Sequence, residues 1–184
     1  MAIALLAAVA AHAATGLKAG VFEPPRMAPQ VALSGSDGRD FELARLRGKV
    51  VLLSFGFTSC PAVCPTTLAT LAQARAALGA AGADVQVVFV SVDPERDTVP
   101  RLKAYVSAFD PTFLGATGSP AAVARALAGF GASASKVASG AGYGYDHTSS
   151  VFLIDRQGRL VGMMPFDHPV QNYVHDLRLL LAAR

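Results

Sequence analysis

Two cysteines are present in the chain, and both lie in the stretch SCPAVCP as Cys60 and Cys64, each followed by a proline. At this spacing two thiolates can form a disulfide or share a soft metal ion, because residues i and i+4 of a helical turn lie on one face. A purely structural disulfide is disfavoured, since closing so short a loop adds only about 2 kcal/mol. Two inert buried thiols are disfavoured by the flanking prolines. Redox exchange and metal binding remain, and the spacing alone does not choose between them.

A third donor could come from one of the four histidines. His147 stands in GYGYDHTSSVFLID, directly before an apolar run, whereas His12, His168 and His175 have the surroundings of leader or surface residues. Two thiolates and one imidazole form a donor set suited to Cu(I) and able to hold Cu(II). The set is one ligand short of the four expected at a structural zinc site.

The elements around the cysteines decide whether these donors can meet. The run Val50–Phe57 is continuously apolar and predicts a strand buried on both faces, and the leucines that follow Pro65 recur at helical spacing. The cysteines are thus predicted at a strand-to-helix junction, where the partial positive charge of the helix N-terminus should lower their pKa. Asp84–Asp93 reads as a second buried strand.

Further patterns complete the fold. They predict a β-hairpin over 31–49, helices over 97–109, 119–131 and 170–184, and an antiparallel hairpin over 149–164. This order predicts an α/β, thioredoxin-like fold with a mixed central sheet, helices on both faces and an N-terminal β-hairpin. In such a fold the segment entering the 149–164 hairpin faces the first strand-to-helix junction, which would bring His147 to the cysteines.

The composition and the N-terminal segment indicate how the chain is divided into a leader, a linker and a domain. With 52% hydrophobic residues among 184, the chain has material for one buried domain, predicted over 31–184. Residues 1–15 are apolar and predict a signal peptide or a short membrane anchor, which places the domain outside the cytoplasm. Residues 16–30 carry three prolines and predict an irregular linker. The net charge of +3 comes from scattered residues, which argues against a nucleic-acid partner.

Three motifs carry a family resemblance. FGFTSCPAVCP, SVDPERDT (Ser91–Thr98) and DHTSSVFLID resemble, in the same order, the cysteine, acidic and histidine motifs of the Sco/SenC family of copper-binding proteins. The resemblance implies copper bound by Cys60, Cys64 and His147. It also implies a metallochaperone that delivers copper to, or reduces, the dinuclear copper site of cytochrome c oxidase subunit II. Its partners would be that subunit or another copper acceptor, together with a periplasmic copper donor or thiol reductant.

Several alternatives stay open in the sequence. Asp93 and Asp97 match the acidic motif and could tune the site or contact a partner, and a helix-capping role for Asp97 is equally plausible. The Gly/Tyr-rich segment Gly140–Tyr145 predicts a mobile loop that lets His147 move on and off the metal. The rival function is a periplasmic thiol-disulfide reductase or thiol peroxidase with Cys60 and Cys64 as its redox pair, and a redox-sensing module is a third. One feature argues against a thioredoxin-type reductase. Such an enzyme has a cis-proline just before the strand that faces its active site, and this chain has Ser149 or Ser150 there.

Overall fold

The computed structural model describes residues 16–140 and 142–183, so the predicted leader at 1–15 lies outside the described residues. The strands in chain order are β1 (Gly20–Met27), β2 (Ala32–Gly35), β3 (Asp40–Glu42), β4 (Val50–Gly56), β5 (Val85–Ser91), β6 (Leu114–Thr117), β7 (Ala134–Ser139), β8 (Gly142–His147), β9 (Val151–Ile154) and β10 (Arg159–Met164). The α-helices are α1 (Val63–Ala76), α2 (Val99–Ser107), α3 (Pro120–Phe130) and α4 (Val170–Ala182). None of the helices in these ranges is long and apolar enough to cross a membrane.

A mixed eight-stranded sheet forms the centre of the molecule, in the order β1-β10-β9-β4-β5-β6-β2-β3. The pairs β4/β5 and β5/β6 are parallel, and β4 also pairs antiparallel with β9. Every residue of β4 and of β5 is buried, as their predominantly apolar sequences predict. The carboxyl end of β4 therefore opens into the cysteine segment from the middle of the sheet.

Helices cover both faces of this sheet. On one face α1, α2 and α4 contribute buried side chains such as Leu68, Leu102 and Leu177. On the other face α3 packs with the N-terminal hairpin of β2 and β3 through Val123 and Phe41. The predicted thioredoxin-like class, with helices on both faces and an N-terminal β-hairpin, is confirmed.

Helix ends follow the local signals of the sequence. Ser119 Oγ accepts a hydrogen bond from the backbone N–H of Ala122 at 3.2 Å, and Pro120 occupies the first turn of α3. Gly131 ends α3 in the left-handed conformation, with a φ of 69°. Thr98, and not Asp97, caps α2 by accepting from the N–H of Arg101 at 3.4 Å. The capping role considered for Asp97 is therefore wrong.

The prediction of an irregular segment over 16–30 is also wrong, because Gly20–Met27 forms the edge strand β1, antiparallel to β10. Its register shifts between Val21 and Arg26, where two prolines interrupt the ladder. Prolines lack the N–H that a central strand must donate, but an edge strand tolerates them. The backbone N–H groups of Lys18 and Ala19 also donate to the buried Asp176 carboxylate at 2.7 and 2.9 Å.

A third correction concerns the Gly/Tyr-rich segment. Residues 142–147 form β8, which pairs antiparallel with β7 in a separate two-stranded sheet. The alternation of small or polar residues with Tyr143, Tyr145 and His147 has the period of two that a strand requires. His147 is thus the last residue of a strand and does not lie in a loop.

Candidate metal centre

The cysteine segment follows the buried strand β4 directly, as predicted. Cys60 precedes α1, and Cys64 lies in its first turn, because α1 begins at Val63. Cys60 is half-buried, whereas the side chain of Cys64 is buried with 3% exposure. The backbone N–H of Cys64 lies 3.5 Å from Cys60 Sγ, so the turn brings the two side chains together.

His147 reaches the cysteines from the end of β8. Its Nε2 lies 3.7 Å from Cys64 Sγ, and its Nδ1 lies 3.0 Å from the carbonyl oxygen of Thr148. A carbonyl can only accept, so Nδ1 carries the proton and donates this bond. The lone pair of Nε2 is then directed toward the thiols, which is the usual arrangement of a metal-ligating imidazole.

The three predicted donors form one group. Cys60 Sγ, Cys64 Sγ and a ring nitrogen of His147 lie within 4.8 Å of one another. Donors at 2.0–2.3 Å from one ion are separated from each other by roughly 3.5–4.5 Å, so small side-chain movements would close this group on a metal. Among the described residues, His168 instead contacts Asn172, and His175 contacts Asp176. His12 lies outside the described residues.

The floor of the site is tightly packed. A Cβ on Gly56 would lie 2.7 Å from Cys64 Sγ and 2.6 Å from Phe89 Cε2, so only glycine fits beneath the thiol. The ring of Phe57 meets the His147 imidazole edge to face, with centroids 5.9 Å apart. Ser149 lines a small cavity beside Cys64 and His147. Cys64 is therefore held rigidly, with His147 packed above it.

Burial dominates the protonation of the inner thiol. It raises the pKa of Cys64, and the nearby Cys60 adds to this effect. The predicted lowering of the cysteine pKa by the helix N-terminus is thus wrong for Cys64, because desolvation of a buried thiolate outweighs the helix dipole. A coordinated cation reverses this balance, since metal binding replaces the thiol proton.

Asp97 fixes the residues that precede Cys60. Its buried carboxylate accepts from the backbone N–H of Thr58 at 2.9 Å, from Thr58 Oγ1 at 2.6 Å and from Ser91 Oγ at 2.7 Å. Arg101 donates to Thr58 Oγ1 at 2.6 Å and to Ser59 Oγ at 2.9 Å. The acidic motif therefore supports the cysteine segment from below, and neither Asp93 nor Asp97 belongs to the donor group.

Sequence reasoning missed Arg96, Arg101 and Tyr143, which surround the site. Their contacts join residues 42 to 50 positions apart, which no local pattern encodes. A signal for Tyr143 was present, since its alternation with Tyr145 and His147 indicates a strand with these three side chains on one face.

An open groove leads to the outer cysteine. It has a volume of about 390 Å³ and is lined by the cysteine segment on one side and by the β7/β8 hairpin on the other. Cys60 and His147 line this groove, whereas the buried Cys64 does not. An incoming group from solution therefore meets Cys60 and His147 first.

Comparison with known proteins identifies a matching family and solved structures with a similar fold. The SCO1/SenC family model matches residues 22–182. SCO2-like proteins of Rickettsia conorii and Rickettsia prowazekii are 32% identical over 149 residues and 37% identical over 130 residues. These matches cover 79% and 69% of this chain and 73% and 63% of the relatives, so the chain spans about two thirds of their length.

Solved structures match over more of their length. The copper-bound structure of ScoI from Bradyrhizobium japonicum has a TM-score of 0.77 and 35% identity, covering 84% of this chain and 99% of that one. The apo Sco1 structure from Thermus thermophilus has a TM-score of 0.81 and 41% identity, covering 89% and 96%.

Proposed function

The chain belongs to the SCO1/SenC family, and we propose that it is a metallochaperone that holds copper through Cys60, Cys64 and His147. It delivers this copper to the dinuclear site of cytochrome c oxidase subunit II or to another copper-accepting protein. The observation that carries the proposal is the convergence of two sulfurs and an imidazole nitrogen within 4.8 Å. The copper held by the Bradyrhizobium japonicum relative supports the choice of ion.

The donor set suits copper as a cargo. Two thiolates and one imidazole favour soft Cu(I) and can also hold Cu(II). Binding replaces the protons of both thiols, and the cation stabilises the buried thiolate that desolvation disfavours. The hydrogen bond from His147 Nδ1 to the Thr148 carbonyl leaves Nε2 free as the third ligand.

The unequal burial of the donors gives the transfer a direction. Cys60 and His147 face the groove, whereas Cys64 is enclosed beneath them. A ligand of the acceptor would replace His147 or Cys60 first, and Cys64 would release the ion last. Stepwise exchange of this kind keeps copper coordinated throughout the transfer.

A second function is favoured by the proximity of the two free thiols. As a reductant, Cys60 as thiolate would attack a disulfide sulfur of the substrate and form a mixed disulfide. Cys64 would then displace the substrate thiol and leave a Cys60–Cys64 disulfide, which a thiol reductant must reduce before the next cycle. This reaction does not require His147.

Ligand substitutions separate the two functions. We expect the reduced protein to retain about one copper ion per chain after desalting, with a thiolate-to-Cu(II) charge-transfer band in the Cu(II) form. Cys60→Ser or Cys64→Ser should abolish tight binding, and His147→Ala should weaken it and remove the band while the fold is kept. His168→Ala is the matched control, because the ring of His168 hydrogen-bonds to Asn172 and does not belong to the donor group.

The outcome decides between the candidates. Unchanged copper content in Cys60→Ser would contradict the proposed ligands. Equal loss of copper from the wild type and from His147→Ala, with turnover of a disulfide or peroxide substrate, would favour the reductase or peroxidase. Transfer of copper to a soluble fragment of subunit II, followed by the spectrum of its dinuclear centre, tests the acceptor.

The proposed location is extracytoplasmic, in the periplasm of a bacterium. The predicted role of residues 1–15 as a signal peptide or short anchor supports this location. A fusion of residues 1–30 to a reporter that is active only after export would test it. Activity confined to the cytoplasm would contradict it.

A further inference from the structure

The β7/β8 hairpin carries His147 but does not belong to the central sheet. Its two strands pair only with each other, and at its base the N–H of Thr148 donates to the carbonyl of Ser133 at 2.9 Å. This bond closes the hairpin on itself, so apart from the chain connections at its base the hairpin is attached to the body of the protein through side chains. The location of His147 over Cys64 therefore depends on those side-chain contacts.

Tyr143 in β8 makes an unusual set of contacts with the acidic motif. Two cations lie over its ring, with Arg96 Cζ at 3.7 Å and Lys136 Nζ at 3.9 Å from the ring centroid. Its hydroxyl lies 3.1 Å from Asp93 Oδ1 and 3.2 Å from Glu95 Oε2, so its proton is shared by two carboxylates. One tyrosine thus joins two cations and two anions.

The same residues also hold the backbone and the second strand. Arg96 Nη1 donates to the carbonyl of Tyr143 at 3.0 Å, and its Nε pairs with Asp93. Lys136 in β7 forms an ion pair with Glu95 at 2.8 Å. Hydrogen bonds from Lys136 and from Tyr143 hold the pKa of Glu95 below its usual range. Within 16–140 and 142–183, the hairpin strands form hydrogen bonds and ion pairs to the body of the protein at two places. One is the contact of His147 with Cys64, and all the others go to Asp93, Glu95 and Arg96 of the acidic motif.

The contacts reach His147 along one face of β8. Tyr143, Tyr145 and His147 alternate along the strand, so their side chains share a face and Tyr143 lies about 13 Å from His147. Between them, Tyr145 packs against Phe57 with ring centroids 5.7 Å apart, and Phe57 also contacts the imidazole. Fixing Tyr143 at one end therefore fixes the direction from which His147 approaches the thiols.

We propose that the hairpin latch, formed by Asp93, Glu95, Arg96, Lys136 and Tyr143, positions His147 as the third copper ligand. This proposal rests on the proposed copper-binding function and assigns a task to the acidic motif. The latch residues act through His147 and do not contact the ion themselves. Opening the latch would let His147 leave the metal while both thiolates stay bound.

The test is a matched pair of substitutions on one strand. Tyr143→Phe removes the hydroxyl from the latch. Tyr145→Phe removes a hydroxyl two residues along the same face that makes no hydrogen bond within the described ranges 16–140 and 142–183. We expect Tyr143→Phe to lower Cu(II) affinity about fivefold to tenfold, the effect of losing one hydrogen bond of ordinary strength. The electron paramagnetic resonance spectrum of its Cu(II) form should show weakened nitrogen coupling, and the optical spectrum should show a shifted thiolate-to-Cu(II) charge-transfer band. Tyr145→Phe should match the wild type in both spectra.

A second readout does not depend on copper. In the copper-free protein, the amide ¹⁵N relaxation of residues 142–147 and the ring resonances of His147 should indicate a more mobile hairpin in Tyr143→Phe only. Wild-type relaxation and an unchanged copper spectrum in Tyr143→Phe would overturn the latch. Failure of the wild type to retain copper would instead overturn the proposed function, and the relaxation comparison would still decide on the latch.

A further variant protects the test against misfolding. Glu95 is 60% exposed at its side chain, so Glu95→Gln removes the charge partner of Lys136 without disturbing the core. We expect it to weaken Cu(II) binding in the same direction as Tyr143→Phe, by about twofold to threefold at low salt and by less at high salt, because salt already screens the exposed pair in the wild type. Wild-type affinity in Glu95→Gln at both salt concentrations would count against the ion pair as part of the latch.

Discussion

Gly56 and Cys64 share the most confined space of the metal centre. A methyl group at Gly56 would come too close to both Cys64 Sγ and Phe89, and because both are buried, neither can move away without straining the core. We expect Gly56→Ala to lower the free energy of unfolding by about 1–3 kcal/mol, the usual cost of overpacking a core. It should also weaken copper binding, because the displaced thiol leaves the donor group.

The control for this prediction is Gly20→Ala on the edge strand β1. There the added Cβ would meet only the carbonyl of Met163, at 3.5 Å, which is ordinary contact. Urea unfolding of both variants, followed by copper titration, measures the two effects. Wild-type stability together with wild-type affinity in Gly56→Ala would show that the site is more adaptable than its packing indicates.

At this scale the sequence points to the three proposed donors but not to the residues that support them. Cys60, Cys64 and His147 are distinguished by residue type, by spacing and by their places beside predicted strands. The contacts of Asp97 with Thr58 and of Arg101 with Ser59 are fixed only when β4, β5 and α2 pack together. The raised pKa of Cys64 follows from the same packing, because it is caused by burial. The sequence indicates that a helix begins near Cys64, but it does not show how deeply the thiol is buried.

At the scale of elements, the N-termini of α2 and α3 are capped in the same way but differ in how close they lie to the proposed copper site. Both helices begin with a hydroxyl N-cap and a proline, but Thr98 adjoins the site residue Asp97 whereas Ser119 lies away from the donor group. We expect Thr98→Ala and Ser119→Ala each to lower the free energy of unfolding by about 1 kcal/mol, the usual value of an N-cap. Neither should change copper affinity by more than about twofold, because Asp97 is held by Thr58 and Ser91 independently of the cap.

Chemical denaturation with copper titration checks both variants. A selective loss of copper affinity in Thr98→Ala would mean that the start of α2 helps to fix Asp97. Equal stability losses without any loss of affinity would assign both caps to folding alone.

Predictability at the element scale depends on whether a local period is visible. Long apolar runs and capped helices were predicted close to their observed bounds, because burial and capping leave direct marks in the sequence. The strand β1 was missed because its prolines suggest a tether, although an edge strand tolerates them. The strand β8 was missed because its glycines suggest a flexible loop, although Tyr143, Tyr145 and His147 alternate with smaller or polar residues as in a strand. The strand forms by pairing with β7, which is a contact between separate segments.

At the scale of the whole molecule, the three donors come from separate parts of the fold. Cys60 lies between β4 and α1, Cys64 lies in α1, and His147 ends a strand 83 residues further along the chain. The complete donor group therefore exists only in the folded protein. Copper bound there must stabilise the fold, by about 2.7 kcal/mol when free copper exceeds the dissociation constant a hundredfold.

The two cysteines are close in sequence, however, and remain a partial site after unfolding. Binding of copper by the unfolded chain reduces the gain, so the stabilisation measures what His147 adds to the two thiolates. We expect Cu(I) to raise the urea midpoint of the wild type clearly and that of His147→Ala only slightly, with buffered Cu(I) under reducing conditions. An equal rise in both proteins would assign binding to the cysteine pair alone. No rise in either protein would mean that folding does not assemble the copper site. Measuring the urea midpoint of both proteins at several buffered Cu(I) concentrations distinguishes these three outcomes.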